Sequence, residues 1–287
     1  MKISISTSLF WKSASTPGGY FDEIAGAGFD FIELDAHNIF GRLNADFAAS
    51  IAAALRNGPR PLKVSSVHMP YTYPISSPSK SARASAIKSF SKTIEMLIDK
   101  IEYSSLRPLK LVFHPGVHCD KIPRDAQKKA IEAGIKEVGA LIGDDRRFVP
   151  AFENMLSSHF ASSPADIIEI SRMAKAYISP AGGICFDSCH AAYDNLPHEF
   201  LEKIIGEVIT VHLSDNFNQP YGEFHAIPMS VIHSRINWRK IIELLAGRLE
   251  IMTLELSKPP VISFNAYLKM AKTAADELES FAGVKTA

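Results

Sequence analysis

Cysteine is scarce in this 287-residue chain: Cys119, Cys185 and Cys189 stand alone, with no CxxC pair. Disulfide scaffolding is therefore not expected, and a reducing interior suits the chain. Charge of one sign is also missing, since 31 Lys and Arg face 31 Asp and Glu. That balance argues against a strongly basic nucleic-acid binder, although a local positive groove can hide inside a zero sum. No apolar run has the length needed to cross a bilayer. The opening MKISISTSLFW lacks the apolar core and small-residue cleavage site of a signal peptide. The expectation is a cytoplasmic protein with no membrane partner. A glycine-rich dinucleotide loop is absent too, because TSLFWKSASTPGG follows the first apolar run. Internal repeats and low-complexity linkers are not found.

What is present is a full core, with 46% hydrophobic and 22% charged residues. Eight apolar runs read as buried strands: 3–8, 29–34, 62–68, 110–114, 148–153, 183–187, 208–213 and 250–256. Most are rich in Val, Ile and Phe without strict alternation, as in a parallel sheet covered on both faces. Helical periodicity lies between them. Ile87, Phe90, Ile94, Leu97, Ile98 and Ile101 recur at helical spacing in 77–101. Residues 123–143 behave alike, with Gly143 as a stop. Ser163 and Pro164 open another helix as cap and first turn, residues 237–249 form the next, and the tail after Pro260 adds one more. Eight strands alternating with helices predict an α/β fold, a (β/α)8 TIM barrel over residues 1–287, with 260–287 as a C-terminal helical extension. The alternative is an open doubly wound sheet.

The apolar runs end on ionisable side chains. VSSVH ends on His68, KLVFH on His114, FVPAFE on Glu153 and GGICFD on Asp187; VITVHL carries His212, and LEL surrounds Glu255. In a barrel these C-terminal strand ends converge on one rim, where catalytic groups are expected. His190 lies just past Asp187, and His225 follows the seventh strand. Singly, each has a plainer reading. A strand-end histidine is commonly a hydrogen-bonded structural residue, Asp187 could cap a helix, and Glu255 could pair with Lys258. Jointly they point to a metal, because three buried carboxylates would raise one another's pKa unless cations neutralise them. Nitrogen and carboxylate donors suit Zn, Mn, Fe or Co. Cys185, inside a strand, reads as a small hydrophobe, and a ligand role for Cys189 is disfavoured. His118 and Cys119 could line the cavity, while His37, His159, His198 and His233 carry no assignment. Arg83 and Lys88 read as the solvated face of their helix.

The ordered series VHMPY, FHPG, FEN, CFDSCH, VHLSD, EFH and LEL resembles the xylose-isomerase-like barrel superfamily over roughly residues 1 to 257. That group holds sugar and sugar-phosphate isomerases and epimerases, and the endonuclease IV type of DNA-repair enzyme. The epimerase resemblance implies one divalent ion (Mn, Mg, Co or Zn) held by Glu153, Asp187, His212 and Glu255. Glu153 and Glu255 would then exchange a proton beside a ketose carbonyl, with His190, Tyr71 and Asp215 binding a small sugar or sugar-phosphate. The endonuclease resemblance implies three zinc ions, with His68, His114, His190, Glu223 and His225 as additional ligands, and abasic DNA as substrate. Glu223 stands where that branch has aspartate, and Ser188 where it has threonine. MLSSHFASS replaces the threonine-alanine-glycine continuation after FEN, and AIPMS replaces a glycine-rich turn after His225. No arginine-rich, aromatic-interleaved track for DNA is visible. The isomerase reading leads and the phosphodiesterase is the alternative, ahead of another metal-dependent lyase or dehydratase and of a non-catalytic barrel. Fold analogy also allows a homodimer.

Overall fold

The apolar runs form parallel strands, each followed by a helix that covers the outer face. The computed structural model describes residues 1–9, 17–58, 60–116, 122–157, 159–193, 195–216 and 224–283. The barrel strands are β1 (Lys2–Ser6), β2 (Phe31–Asp35), β3 (Lys63–His68), β4 (Ser105–Phe113), β5 (Phe148–Glu153), β6 (Gly183–Asp187), β7 (Val208–Leu213) and β8 (Ile251–Leu254). They close in the order β1-β8-β7-β6-β5-β4-β3-β2, every pair parallel. Register steps at Ile32/Glu33, Val64/Ser66 and Ile184/Cys185 supply the stagger that closure requires. The expected barrel is the observed fold, and the open sheet is excluded.

Two strand boundaries differ instructively from the sequence reading. β4 starts at Ser105 rather than Lys110: Ser105 pairs with Val64 of β3, while the exposed Arg107 and Pro108 interrupt the apolar signal ahead of Leu109. β8 stops at Leu254, which leaves Glu255 one residue past the ladder. His114 stands likewise just past β4.

The principal helices are α1 (Pro17–Gly26), α2 (Ala45–Asn57), α3 (Lys80–Thr93), α4 (Arg124–Ile142), α5 (Pro164–Tyr177), α6 (Pro197–Ile204), α7 (Trp238–Leu245) and α8 (Phe264–Gly283). Ser163 caps α5 by accepting the Asp166 N–H at 3.2 Å, with Pro164 in the first turn. Gly143 stops α4 at φ 57°. A π-helical segment, Ile94–Ile98, continues α3 and keeps Leu97 and Ile98 buried. Phe29, Phe113, Phe152, Phe186 and Phe200 are fully buried in the main hydrophobic core. A separate cluster of Val112, Ala151 and Cys185 is small enough to fit the barrel interior. On α8, Tyr267, Leu268, Ala271, Ala275 and Leu278 are buried, and Glu279 accepts the Ile3 N–H at 3.0 Å. The C-terminal helix is thus tied to the start of β1, the end of the barrel away from the strand C-termini.

Arg83 departs from its expected place on a solvated face. Its guanidinium donates to Glu137 Oε1 on α4 at 3.1 Å and to the Ser77 carbonyl at 2.8 Å, so it joins α3 to α4. Among the described residues no helix is long and apolar enough to cross a membrane.

Candidate metal centre

The parallel strands deliver their terminal polar residues to one rim. His68, Glu153 and Asp187 are the last residues of β3, β5 and β6; His212 is next to last in β7. Glu153 Oε2 lies 3.3 Å from His68 Nε2 and 3.3 Å from His114 Nε2, and those two nitrogens are 3.1 Å apart. The other oxygen, Oε1, is 3.2 Å from His212 Nδ1. The same Nδ1 faces Glu255 Oε2 at 2.9 Å and Asp187 Oδ2 at 3.9 Å. Glu153, Asp187, His212 and Glu255 each offer an atom within 4.8 Å of the others, as do His68, His114 and Glu153, and also Asp187, His190 and His225.

Neighbouring groups orient these donors. His68 Nδ1–H donates to the Met69 carbonyl at 3.1 Å, which directs Nε2 toward His114 and Glu153. His190 Nδ1–H donates to the Asn154 carbonyl at 2.8 Å, leaving Nε2 as its acceptor. Asn154 grips the Asp187 backbone at both ends, its Oδ1 accepting the Asp187 N–H at 2.7 Å and its Nδ2 donating to the Asp187 carbonyl at 3.0 Å. Such outer contacts fix tautomer and ring direction in metal sites. Asp187 also caps a helical turn, because Oδ1 accepts the His190 N–H at 2.6 Å. Its two readings are therefore compatible, since Oδ2 remains directed at the histidines. Lys258, the plainer partner considered for Glu255, donates instead to the Pro259 and Ile262 carbonyls of its own loop.

Electrostatics sharpen the picture. Burial alone would lower the His68 imidazole, but the hydrogen bond and charge of Glu153, with Glu255 and Asp35 behind, lift it to about 9. Burial opposes charge on His212 as well, and the surrounding anions nevertheless hold it well above its ordinary value. Burial would raise Glu255, yet His212 and His225 pull it to about 2. Glu153 is held well below the usual carboxylate range against burial by His212 and His114. Asp187 moves the other way, raised by burial and only partly relieved by His190 and His225. Such a cluster needs positive charge, supplied by protons on imidazoles or by a cation. Buried Glu153 Oε2 and Asp187 Oδ2 have only histidine nitrogens against them, at 3.3 Å and at 3.8–3.9 Å, and neither oxygen accepts a well-aligned hydrogen bond. Unsatisfied buried oxygens facing nitrogen donors are a costly arrangement for a bare core and an appropriate one for a divalent ion. The residues present fit such an ion. Cys185 adds no thiolate, because burial drives its thiol strongly upward.

Other expected site residues sit as follows. Tyr71 is 42% exposed, but both ring faces are covered: His37 stacks on one at 3.6 Å and His114 on the other at 4.3 Å. His37 Nδ1 accepts the Tyr71 N–H at 3.3 Å, and burial with the nearby His68 and His114 lowers this imidazole to about 4. Both oxygens of Asp215 are engaged by the chain, accepting from Ser234 Oγ at 2.6 Å, Asn216 N at 2.9 Å, Met229 N at 3.2 Å and Trp238 Nε1 at 3.3 Å. It anchors the segment leading to α7. Glu223, like His118 and Cys119, lies outside the described residues. A cavity of about 170 Å³ opens beside His114, bordered by Tyr71, Tyr73, Phe90, Met155 and His159.

One group at the centre escaped the sequence reading. Glu33, in the middle of β2, is fully buried and accepts a hydrogen bond from His212 Nε2 at 3.1 Å. Its only sequence signal is an acidic residue interrupting the apolar run FIEL.

The model of the family described as xylose isomerase-like TIM barrel matches residues 21–281. No curated protein matches this sequence. Among solved structures, a D-tagatose 3-epimerase-like protein superposes with TM-score 0.76 at 18% identity, covering 99% of this chain and 97% of its own. D-psicose 3-epimerase with D-tagatose from Clostridium cellulolyticum gives 0.69 at 14% identity, covering 99% and 98%. Endonuclease IV from Thermus thermophilus gives 0.65 at 16% identity, covering 96% and 100%. Identities this low speak for the shared barrel and leave the chemistry to the site itself.

Proposed function

The chain belongs to the xylose isomerase-like TIM barrel family, and on that premise we propose that it is a divalent-metal-dependent isomerase or epimerase moving a proton beside the carbonyl of a ketose or ketose phosphate. The supporting observation is the convergence of Glu153, Asp187, His212 and Glu255 within 4.8 Å, with the two glutamates supplied by β5 and by the residue after β8. These four would hold Mn, Mg, Co or Zn. Once bound, the ion supplies Lewis-acid polarisation of the substrate carbonyl. Glu255 and Glu153, both held low, are ionised near neutral pH and so are competent bases. One accepts the proton from the carbon beside the carbonyl; the other, having first taken up a proton from water, delivers it to the opposite face, and exchange with water restores both carboxyl groups. His190, its ring fixed by Nδ1–H on the Asn154 carbonyl, stands beside the quartet to contact a substrate hydroxyl. Tyr71 contributes its hydroxyl. Asp215 acts through the loop it anchors.

A second reading rests on a different observation. Glu153 directs one oxygen to His68 and His114 and the other to His212, so that its two oxygens would be available to different ions if the centre held more than one. Asp187, His190 and His225 form a further group. This pattern supports a centre of up to three zinc ions hydrolysing a phosphodiester, with abasic DNA as substrate.

Metal per chain, measured on protein purified without chelator, separates the two when combined with activity. One ion and deuterium uptake from heavy water into a ketose support the isomerase. Three zinc ions and cleavage at an abasic site transfer the assignment to the phosphodiesterase. A chain that neither carries metal nor turns over either substrate after reconstitution sinks both.

A further inference from the structure

Glu33 is a deeply buried carboxylate that touches no expected substrate position. It stands on β2, which is not a neighbour of β7, and reaches His212 through the barrel interior. Its Oε2 accepts from His212 Nε2 at 3.1 Å and from Ser66 Oγ at 2.8 Å, while Oε1 has no hydrogen-bond partner. A carboxylate placed beneath three others is an expensive way to fill space, because a buried charge loses its hydration and gains like-charge repulsion. An apolar residue would fill the same volume without that cost. The contact has a directional consequence. An imidazole that donates Nε2–H to Glu33 carries its lone pair on Nδ1, and Nδ1 faces Glu255 at 2.9 Å, Glu153 at 3.2 Å and Asp187 at 3.9 Å. The opposite tautomer would set an N–H among those three carboxylates and leave Nε2 facing an anion without a proton.

We propose that Glu33, itself held by Ser66, is a positioning residue that locks His212 in the tautomer and orientation presenting Nδ1 to the metal. The proposal rests on the metal reading above and extends it to a residue outside the ligand set. Carboxylate-to-histidine contacts of this kind orient the ring, raise its donor strength and, when removed, weaken metal binding about 10- to 100-fold. Glu33→Gln keeps an oxygen acceptor for Nε2–H and rescues most of the effect; Glu33→Leu removes the acceptor.

The test is the zinc dissociation constant of the full chain, stripped by chelator and titrated against a competing chelating dye. Glu33→Leu is expected to bind zinc about 10- to 100-fold more weakly than the native chain, with Glu33→Gln within a few-fold of native. A residue that only fills the core would change the melting temperature of the stripped protein and leave zinc affinity unaltered. Native affinity in a folded Glu33→Leu protein overturns the proposal. Should that variant fail to fold, long-range proton–nitrogen spectra of histidine in the zinc-loaded native chain decide. A His212 proton on Nε2 supports the assignment, and one on Nδ1 overturns it. A native chain that binds no metal would remove the metal reading and this proposal together. Native binding with an indifferent Glu33 removes this proposal alone.

Discussion

At the residue scale the two readings of the site make different demands on the same side chains. If Glu153 and Glu255 exchange the proton, Glu255→Gln abolishes a base while keeping the shape of the side chain. Deuterium uptake into the ketose should fall by about 100-fold or more, the scale of a positioned acid-base group. Unchanged uptake would remove Glu255 from the chemistry. His68 and His114 meet at Glu153 Oε2, and His68 also comes within 4.8 Å of His212 and Glu255, but neither histidine is one of the quartet. On the isomerase reading, the double substitution His68→Ala with His114→Ala should leave one ion per chain and lower ketose exchange by about 10- to 100-fold, the cost of losing outer contacts. A stoichiometry that drops by one zinc, with phosphodiester cleavage lost, would establish the multinuclear centre. Most of these residues were legible because each ends an apolar run, and a polar residue at that point has nowhere to go but the rim. Glu33 was not legible, because it sits within its run and its partner is 179 positions away. The same holds for the stack of His37, Tyr71 and His114, which brings together the short helix after β2 and the segments after β3 and β4.

At the scale of elements, α4 shows where helix propensity and packing disagree. Gly134 lies inside this helix, where alanine would ordinarily add about 1 kcal/mol. A Cβ there would meet the Ile75 carbonyl oxygen at 2.2 Å and its carbon at 2.9 Å, both backbone atoms of the segment between β3 and α3. Overpacking of this kind costs about 1–3 kcal/mol, so Gly134→Ala should lower the urea midpoint despite its better propensity. A raised midpoint would mean that the Ile75 segment yields. The elements themselves were readable because apolar periodicity reports burial: α4 and α5 occupy the spans their spacing and caps imply. The outer half of β4 was not, since Ser105 pairs with Val64 through the backbone while Arg107 and Pro108 face solvent. Arg83 failed for a related reason. Its neighbours in sequence are those of an exposed helical face, and only the approach of α4 supplies Glu137.

For the whole molecule, the charge stored at the rim couples stability to pH and to metal. The His68 imidazole rises from 6.5 to about 9 on folding. Its contribution is fully present below pH 6.5 and disappears as pH climbs through 9; a shift of that size corresponds to about 3 kcal/mol. His212, raised in the same sense, adds to the loss. Glu255, lowered from 4.5 to about 2, contributes above its unfolded value and loses that contribution in acid. His37, lowered to about 4, also disfavours the fold as pH falls below 6.5. The metal-free chain should thus be most stable slightly below neutrality and weaken toward pH 9. A bound cation replaces the imidazole protons as the neutralising charge, so metal affinity should increase with pH while the stability of the loaded protein stays nearly level. Calorimetry of chelator-stripped and metal-loaded samples at pH 6.5 and pH 9 reads both effects. The stripped protein should lose about 6 °C or more in melting temperature, by the usual scaling of stability to melting point for a domain of this size, and the loaded protein much less. A flat profile for the stripped protein would mean that its rim histidines are neutral, so that protons are not what balances Glu153, Asp187 and Glu255 when the ion is removed.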